Sequence, residues 1–195
     1  LYENVIPIEE RLNASGQILK RLDTQKLRVD LKNLLNKKVY SLAVVLMHSY
    51  LNPKHELIVE KIAKEVGFSN ISLSHKVTKL IKFIARGETT TVDAYLTPIL
   101  RNYMSSLSAE LGKVPIKFMQ SYGGLVSGSL FRGKNCILSG PAGGVVGAAR
   151  TAEKEGLKNI ICFDMGGTST DVSHYAGKYE RNFENEINGI KLIHY

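Results

Sequence analysis

The chain has 195 residues, of which 44% are hydrophobic and 23% are charged, and its formal net charge is +8. These proportions are typical of a globular protein with an apolar core and exclude an intrinsically disordered chain. No apolar run approaches the roughly 20 residues that cross a bilayer. The two cysteines, Cys136 and Cys162, are too few for a disulfide framework and lack the spacing of a zinc site, so we expect free thiols in a reducing cytoplasm.

The positive charge is scattered along the chain and is not gathered in one run. A nucleic-acid-binding surface is typically marked by clustered Lys and Arg, with aromatic residues between them. The scattered pattern favours a solvated surface, which could also contact an acidic partner subunit. We therefore expect neither nucleic acid nor a membrane as a partner.

Strands and helices alternate in the first part of the chain. Asp23 and the pair Asn52-Pro53 are residue types that begin helices, and Gly67 is the type that ends one. The predicted elements are, in chain order, a β-hairpin over 5–22, a helix from 23, a strand over 39–47, a helix over 52–67 and a strand over 71–73. This strand–helix–strand order predicts an α/β fold.

The second part of the chain begins with a long helix, predicted over 91–111, whose apolar residues repeat every 3.6 positions. We expect that stripe, which includes Tyr95, Ile99 and Tyr103, to be the buried face of the helix. The elements that follow are a strand over 116–119, a turn at Gly123-Gly124, a glycine-rich helix over 140–154 and a hairpin over 160–175.

The long polar turn of the last hairpin carries the clearest chemistry. It reads Asp164, Met165, Gly166, Gly167, Thr168, Ser169, Thr170, Asp171. The glycines leave room for a phosphate, successive backbone N–H groups form an anion-binding hollow, and the three hydroxyls can donate to phosphate oxygens. The carboxylates would repel a bare phosphate but suit Mg²⁺ with its water shell. The turn therefore predicts a metal-nucleotide site; the alternative is a tight turn closed by its own side chains.

This segment resembles the second phosphate loop of the hydantoinase A / 5-oxoprolinase family. Residues 138–148, which read Leu-Ser-Gly-Pro-Ala-Gly-Gly-Val-Val-Gly-Ala, are similar to the family's LSGPAxGVxGA segment. Further matches lie at 120–124, 89–96, 46–56 and 10–16. The resemblance therefore covers nearly the whole chain.

The family has the fold of the actin, Hsp70 and sugar-kinase superfamily, in which two ribonuclease-H-like α/β halves close on ATP. The resemblance implies that residues 1–139 are most of the first half, that 140–156 are a connecting helix, and that 157–195 begin the second half. It also implies a central fragment, inactive alone, because the family's earlier Asp-Gly-Gly-Thr loop and later adenosine segment are absent. The glycines of 140–147 would serve packing at a hinge, which we favour, or contact the nucleotide.

The implied activity is ATP-dependent hydrolysis of a cyclic amide, such as a hydantoin or 5-oxoproline, with ATP and Mg²⁺ as cofactors. Asp164 would hold the Mg²⁺–water shell, residues 166–170 would bind phosphate, and Asp171 would orient the loop or the metal. The implied partners are the cyclic amide and a hydantoinase B-like subunit or further copies of the chain. Two alternatives stay open: the ATP-using subunit of an acetone or acetophenone carboxylase, and a nucleotide-driven switch of the Hsp70 or actin type.

Several other patterns point to structure, and a few leave the substrate open. Residues 128–135 nearly spell a P-loop, but Asn135 stands where Ser or Thr should hold Mg²⁺, so we interpret the match as a coincidence. We expect His48, which closes a strand, and Glu56, in the first turn of a helix, to be structural.

The residues that depart from the family's usual types are 85–88, Asp93 and Tyr122. A relative's substrate therefore cannot be transferred directly.

Overall fold

The computed structural model describes residues 2–182 and 184–193, which form an α/β arrangement of five α-helices and ten β-strands. The helices are α1 (Thr24–Asn36), α2 (Lys54–Val66), α3 (Ser74–Val77), α4 (Phe83–Leu111) and α5 (Ser139–Lys154). The strands are β1 (Arg11–Leu12), β2 (Ile18–Lys20), β3 (Ser41–Val44), β4 (Asn70–Leu73), β5 (Lys117–Met119), β6 (Leu125–Ser127), β7 (Asn159–Met165), β8 (Thr170–Ala176), β9 (Glu184–Ile187) and β10 (Ile190–Ile193).

The strands pair two by two, and β3 with β4 is the one parallel pair among the described residues. The other four pairs are antiparallel and join strands that are consecutive in sequence. Residues 1, 183, 194 and 195, which belong to the predicted ranges 1–139 and 157–195, lie outside the described residues. None of the described helices combines the length and the apolar character needed to cross a membrane.

The main core lies on one face of the β3–β4 pair. Successive side chains of a strand point to opposite faces, so Leu42, Val44 and Leu73 face the leucines of α1 and the apolar side of α2. On the other face, Ser41 Oγ donates to the carbonyl of Ala94 at 2.6 Å, which ties β3 to α4. The strand pair is therefore covered on both sides, as parallel strands require.

The predicted helix ends in the first part of the chain are confirmed. Asp23 caps α1, because its Oδ1 accepts from the backbone N–H groups of Gln25 and Lys26 at 3.0 Å. Asn52 accepts from the N–H of Lys54 before α2, and Gly67 ends that helix with a φ of +122°, a value that side chains rarely adopt. The β-hairpin is shorter than predicted, since its strands are confined to β1 and β2.

A buried carboxylate joins the carboxyl ends of β3 and β4. Glu56, in the first turn of α2, is fully buried. Its Oε1 accepts from Leu46 N (3.0 Å) and Ser74 Oγ (2.6 Å). Its Oε2 pairs with His75 through the backbone N–H (3.1 Å) and the ring Nδ1 (2.6 Å). The expectation that Glu56 is structural is right, but its role is to fasten two strand ends and not only to match a helix dipole.

A buried arginine holds the same strand end from the other side. Arg86 is fully buried, and its Nη2 donates to the carbonyls of Leu46 (2.7 Å) and Met47 (2.9 Å). The guanidinium lies between the rings of Tyr50 and Phe83, at 5.5 and 5.8 Å from their centroids. Burial lowers the pKa of Arg86, while the negative charge of Glu56 opposes that shift. The two opposite charges thus sit in the same buried polar cluster.

Helix α4 differs from the prediction in its start and in its buried face. It begins at Phe83, eight residues before the predicted start, and continues through Pro98. Of the predicted apolar stripe, Val92 and Met104 are buried, whereas Tyr95, Ile99 and Tyr103 are more than half exposed. The helix instead buries a polar face whose members are Arg86, Thr89, Thr90, Asp93 and Thr97. Hydrophobic periodicity could not find this face, because hydrogen bonds and not apolar contacts stabilise it.

The segment that mimics a P-loop packs against this polar face of α4. The N–H of Gly133 donates to Thr97 Oγ1 at 3.0 Å, and the N–H of Lys134 donates to Asp93 Oδ1 at 3.2 Å. A Cβ on Gly133 would lie 2.8 Å from the carbonyl oxygen of Asp93. The Lys134 ammonium donates to the carbonyl of Val77. The interpretation of this motif as a coincidence agrees with its structural use here.

We expect Glu56→Ala to lower the free energy of unfolding by about 3 kcal/mol or more. The change leaves buried hydrogen-bond donors without an acceptor and the buried Arg86 charge without the opposite charge of Glu56. The matched control is Glu60→Ala, one turn along α2, which removes surface ion pairs with Lys64 and Lys76. That control should cost only about 0–1 kcal/mol. Denaturant unfolding of both variants measures the difference, and equal losses would contradict the role of Glu56.

We expect Gly133→Ala to cost about 1–3 kcal/mol, since the added methyl group meets the backbone of α4 and cannot be accommodated by side-chain rotation. Gly140→Ala is the control, because a Cβ there has no neighbour within 4 Å. Thermal unfolding should show a lower midpoint for Gly133→Ala alone. An unchanged midpoint would mean that the 128–135 segment does not pack on α4 as described.

Candidate functional site

The candidate site is the turn that joins β7 and β8. The predicted hairpin is confirmed, with two seven-residue strands whose register pairs Asn159 with Ala176 at the base and Met165 with Thr170 at the tip. Residues 166–169 form the turn, which is closed by one hydrogen bond from Gly166 N to the carbonyl of Ser169 at 2.9 Å. Strand β7 ends at Met165, directly before Gly166 and Gly167, because glycine is a poor strand former. The whole turn is exposed.

Most polar groups of the turn are free to meet a ligand. Among the described residues, the N–H groups of Gly167, Thr168 and Ser169 make no hydrogen bond within the protein. The hydroxyls of Thr168, Ser169 and Thr170 likewise have no protein partner in the described part of the chain. The turn is therefore not closed by its own side chains, which was the alternative to phosphate binding. It offers exposed amide and hydroxyl donors, although Thr170, the register partner of Met165, lies on the face of the hairpin opposite the two carboxylates.

The two acidic residues face one another across the hairpin. Asp164 and Asp171 are direct register partners, so their side chains lie on the same face of the two strands. Like charges placed directly opposite destabilise a strand pair, and a bound cation would relieve that repulsion. Carboxylate oxygens are the ligands Mg²⁺ prefers, usually together with water and substrate phosphates. The donor set therefore fits Mg²⁺ held by Asp164 and Asp171.

The two carboxylates alone do not make a complete metal centre. No group of three or more His, Cys, Asp or Glu side chains with metal-binding geometry occurs in the described ranges. Two carboxylates alone leave most positions of an octahedral ion to water or phosphate oxygens.

Helix α5 approaches the turn closely, and its glycines allow this. A Cβ on Gly144 would lie 2.9 Å from Asp164 Oδ2, and one on Gly143 would lie 3.4 Å from Met119 Cγ. The helix therefore touches β7 on one side and β5 on the other through residues without side chains. At its far end, Tyr175 of β8 donates its hydroxyl to Glu153 of α5 at 2.5 Å. These contacts are of the packing kind that we favoured for the 140–147 glycines.

All seven predicted site residues lie together at this end of the β7–β8 hairpin, four of them in the turn and Asp164, Thr170 and Asp171 in the strands, and Asp164 also contacts α5. The His48 and Glu56 side chains do not join them: Glu56 is bound within the β3–β4 polar cluster, and His48 packs beside Tyr50 with ring centroids 6.1 Å apart. The opposite face of the hairpin is apolar and exposed. Its exposed large apolar residues are Ile161, Phe163, Met165 and Val172, and Thr170 and His174 lie on the same face.

A second concave feature was not foreseen from the sequence. A cavity of about 360 Å³ lies between α5, the β5–β6 turn, residues 179–182 and Asn185. It contains the hydroxyl of Tyr179, which is buried and has no hydrogen-bond partner among the described residues. No motif marks these residues, because they come from three distant parts of the chain. The departure at Tyr122, which lines this cavity, was the one signal present in the sequence.

Comparisons of the sequence with family models and with curated proteins identify the same family. The chain matches the hydantoinase/oxoprolinase family over residues 86–194 and the hydantoinase/oxoprolinase N-terminal region over residues 1–67. A curated relative, 5-oxoprolinase 1 from Arabidopsis thaliana, is 47% identical over an alignment of 213 positions, which covers 97% of this chain. The chain spans only 17% of the length of that relative.

Two solved structures have the same fold. Nucleotide-free acetone carboxylase aligns with a TM-score of 0.83 and 28% identity over 95% of this chain and 28% of its own. The ATP-dependent caprolactamase from Pseudomonas jessenii aligns with a TM-score of 0.80 and 29% identity over 96% of this chain and 29% of its own. This similarity confirms the predicted fold class, a portion of the α/β fold of the actin and Hsp70 type.

The sequence matches cover both ends of the chain, and the structural matches cover nearly all of it. The glycine-rich helix and the acidic turn, which first suggested the relationship, lie inside the larger of the two matched regions. The chain therefore belongs to the hydantoinase/oxoprolinase family.

Proposed function

We propose that the protein containing this chain is an ATP-dependent hydrolase of cyclic amides, and that the β7–β8 turn holds the magnesium and phosphates of its nucleotide. The observation that carries the proposal is the open turn with Asp164 and Asp171 in register and unpaired amide and hydroxyl donors between them. Relatives named 5-oxoprolinase and ATP-dependent caprolactamase support the substrate class, since both names describe ring amides.

In this proposal, ATP supplies the phosphoryl group that activates the amide carbonyl for attack by water. The residues of this chain bind and position. Backbone N–H groups of Gly167 to Ser169 and the hydroxyls of Thr168 to Thr170 would hold phosphate oxygens. Asp164 would hold the Mg²⁺–water shell, and Asp171 would orient the metal or the turn. Positioning and charge neutralisation are most of what a protein contributes to phosphoryl transfer.

A carboxylase subunit is the second candidate, because acetone carboxylase is among the structural matches. The two candidates share ATP and differ in the molecule that is activated. ATP turnover by the full-length protein separates them: stimulation by a cyclic amide alone supports the hydrolase, and a requirement for bicarbonate with a ketone supports the carboxylase. ATP turnover stimulated by neither would contradict both.

The division of the chain also belongs to this proposal. Residues 1–139 would be part of the first nucleotide-binding half, 140–156 the connector and 157–195 the start of the second half. Close packing of α5 against both β5 and β7 suits a connector, since one rigid helix then touches strands assigned to each half. A companion subunit of hydantoinase B type, or further copies of the chain, and a cytoplasmic location complete the proposal.

We expect Asp164→Asn in the full-length protein to lower the affinity for Mg²⁺ by about 10- to 100-fold, because it removes the negative charge that would hold the water shell of the metal. Mg²⁺ titration of ATP turnover measures this change, with circular dichroism to verify the fold. Glu155→Gln, an exposed acidic residue after α5, is the control and should leave the titration unchanged. Wild-type Mg²⁺ dependence in Asp164→Asn would refute the assignment of the turn.

The contact between α5 and Asp164 gives a second test. Gly144→Ala adds a methyl group 2.9 Å from Asp164 Oδ2, which must turn the carboxylate away. Gly147→Ala, one turn along, meets no atom within 4 Å and is the matched control. Both changes favour the helix by up to about 1 kcal/mol. We expect only Gly144→Ala to raise the Mg²⁺ concentration required for half-maximal turnover; equal effects would show that this contact does not position Asp164.

A further inference from the structure

Helix α5 is attached to the β7–β8 hairpin at two places, one near each end of the strands. Near the tip, Gly144 leaves free the space beside Asp164, since a Cβ at 144 would lie 2.9 Å from Asp164 Oδ2. Near the base, the Tyr175 hydroxyl donates to Glu153 Oε1 at 2.5 Å. The first contact bears directly on the acidic turn, and the second calls for a reason.

The two attachments lie on one face of the hairpin. Tyr175 is the register partner of Ile160, which lies four positions before Asp164 on β7, so the side chains of Tyr175 and Asp164 point to the same side. Four strand residues span about 13 Å, and the nine helical steps from Gly144 to Glu153 also span about 13 Å. The helix therefore lies along the hairpin from its tip to its base.

The bond at the base joins a well-placed hydroxyl to an ionised carboxylate. Tyr175 is buried, and its ring packs on that of Tyr179 with centroids 5.2 Å apart. The hydrogen bond from Tyr175 lowers the pKa of Glu153, and Arg150, paired with Glu153 at 2.8 Å, lowers it further. The same hydrogen bond raises the pKa of Tyr175, so the phenol keeps its proton. A bond of this kind is roughly twice as strong as one between neutral groups.

The place of α5 along the hairpin matters because Val145 follows Gly144 in the sequence. A shift of the helix by one residue, about 1.5 Å with its turn of about 100°, would set Val145 where Gly144 now lies. The Cβ of the valine would then compete with the Asp164 carboxylate for the same space. The same shift would stretch the bond from Tyr175 to Glu153 beyond hydrogen-bond length.

We propose that Tyr175 and Glu153 are positioning residues for the acidic turn. Their hydrogen bond fixes the place of α5 along the β7–β8 hairpin, and it thereby keeps Gly144 beside Asp164 in preference to a residue with a side chain. The inference rests on the proposed function, because the positioned carboxylate is the one that would hold the Mg²⁺–water shell.

The first test is Mg²⁺ titration of ATP turnover by the full-length protein. Tyr175→Phe keeps the ring packing and removes the bond, and should raise the Mg²⁺ concentration for half-maximal turnover about three- to tenfold, less than Asp164→Asn because the carboxylate remains. Turnover at saturating Mg²⁺ should stay near the wild-type value, since only binding is affected. Glu153→Ala should match Tyr175→Phe, whereas Glu153→Gln, whose amide oxygen still accepts, should recover most of the loss. Arg150→Ala, which removes only the exposed ion pair, is the control and should change nothing.

Hydrogen exchange of the α5 amides in the nucleotide-free protein supplies a readout that needs no turnover. Exchange should be faster in Tyr175→Phe and Glu153→Ala than in the wild type, and close to the wild-type rate in Glu153→Gln and Arg150→Ala. Wild-type exchange in Tyr175→Phe, or a Glu153→Gln variant as impaired as Glu153→Ala, would overturn the proposal. A loss of turnover at saturating Mg²⁺ as large as the loss of Mg²⁺ affinity would overturn it as well.

The two proposals fail in different ways. If Asp164→Asn raises the Mg²⁺ requirement and Tyr175→Phe does not, the positioning role fails alone and the proposed function stands. If Asp164→Asn leaves the Mg²⁺ titration unchanged, the proposed function fails and the positioning role fails with it, whatever the exchange rates of α5 show.

Discussion

The fold depends on one buried carboxylate. Glu56 accepts hydrogen bonds from the residues that follow β3 and β4, and so holds the carboxyl ends of the two parallel strands together. Arg86 binds the carbonyl of the same Leu46 whose N–H is bound by Glu56. A two-stranded parallel pair has few backbone bonds of its own, so side chains must supply the missing constraint. Arg86 thereby ties the first turn of α4 to the end of β3.

Sequence patterns located the elements whose ends are marked by local chemistry. Asp23 and Gly67 were found because capping is a property of neighbouring residues. The hairpin turn was found because its glycines, hydroxyls and acids are contiguous. The start and buried face of α4 were wrong, since threonines, Gly87 and a buried arginine give no apolar period, and long-range hydrogen bonds decide their burial. The cavity was missed for the same reason, because residues such as Tyr122 and Tyr179 become neighbours only after folding.

Helix α5 contacts both the acidic turn and the cavity. Its glycines bring it against β5 and β7, its apolar wall forms one side of the cavity, and its end is bonded to β8 through Tyr175. A side chain at 143 would meet Met119 only at van der Waals distance, whereas one at 144 would force the Asp164 carboxylate to move. The glycine at 144 therefore affects the acidic turn through the space that it leaves for the Asp164 carboxylate beside α5. The family resemblance pointed to this segment, and the structure shows which atoms lie beside its glycines, namely Asp164 Oδ2 and Met119 Cγ.

The outward face of the β7–β8 hairpin affects how the chain can be handled. Ile161 and Met165 are 76% and 72% exposed, and Phe163 and Val172 lie beside them on the same two strands. A flat apolar surface with open strand edges and no charged gatekeeper invites self-association. We therefore expect the isolated chain to remain monodisperse only at low concentration. A lysine at position 161 or 172 would be the simplest way to keep it in solution without altering the acidic turn.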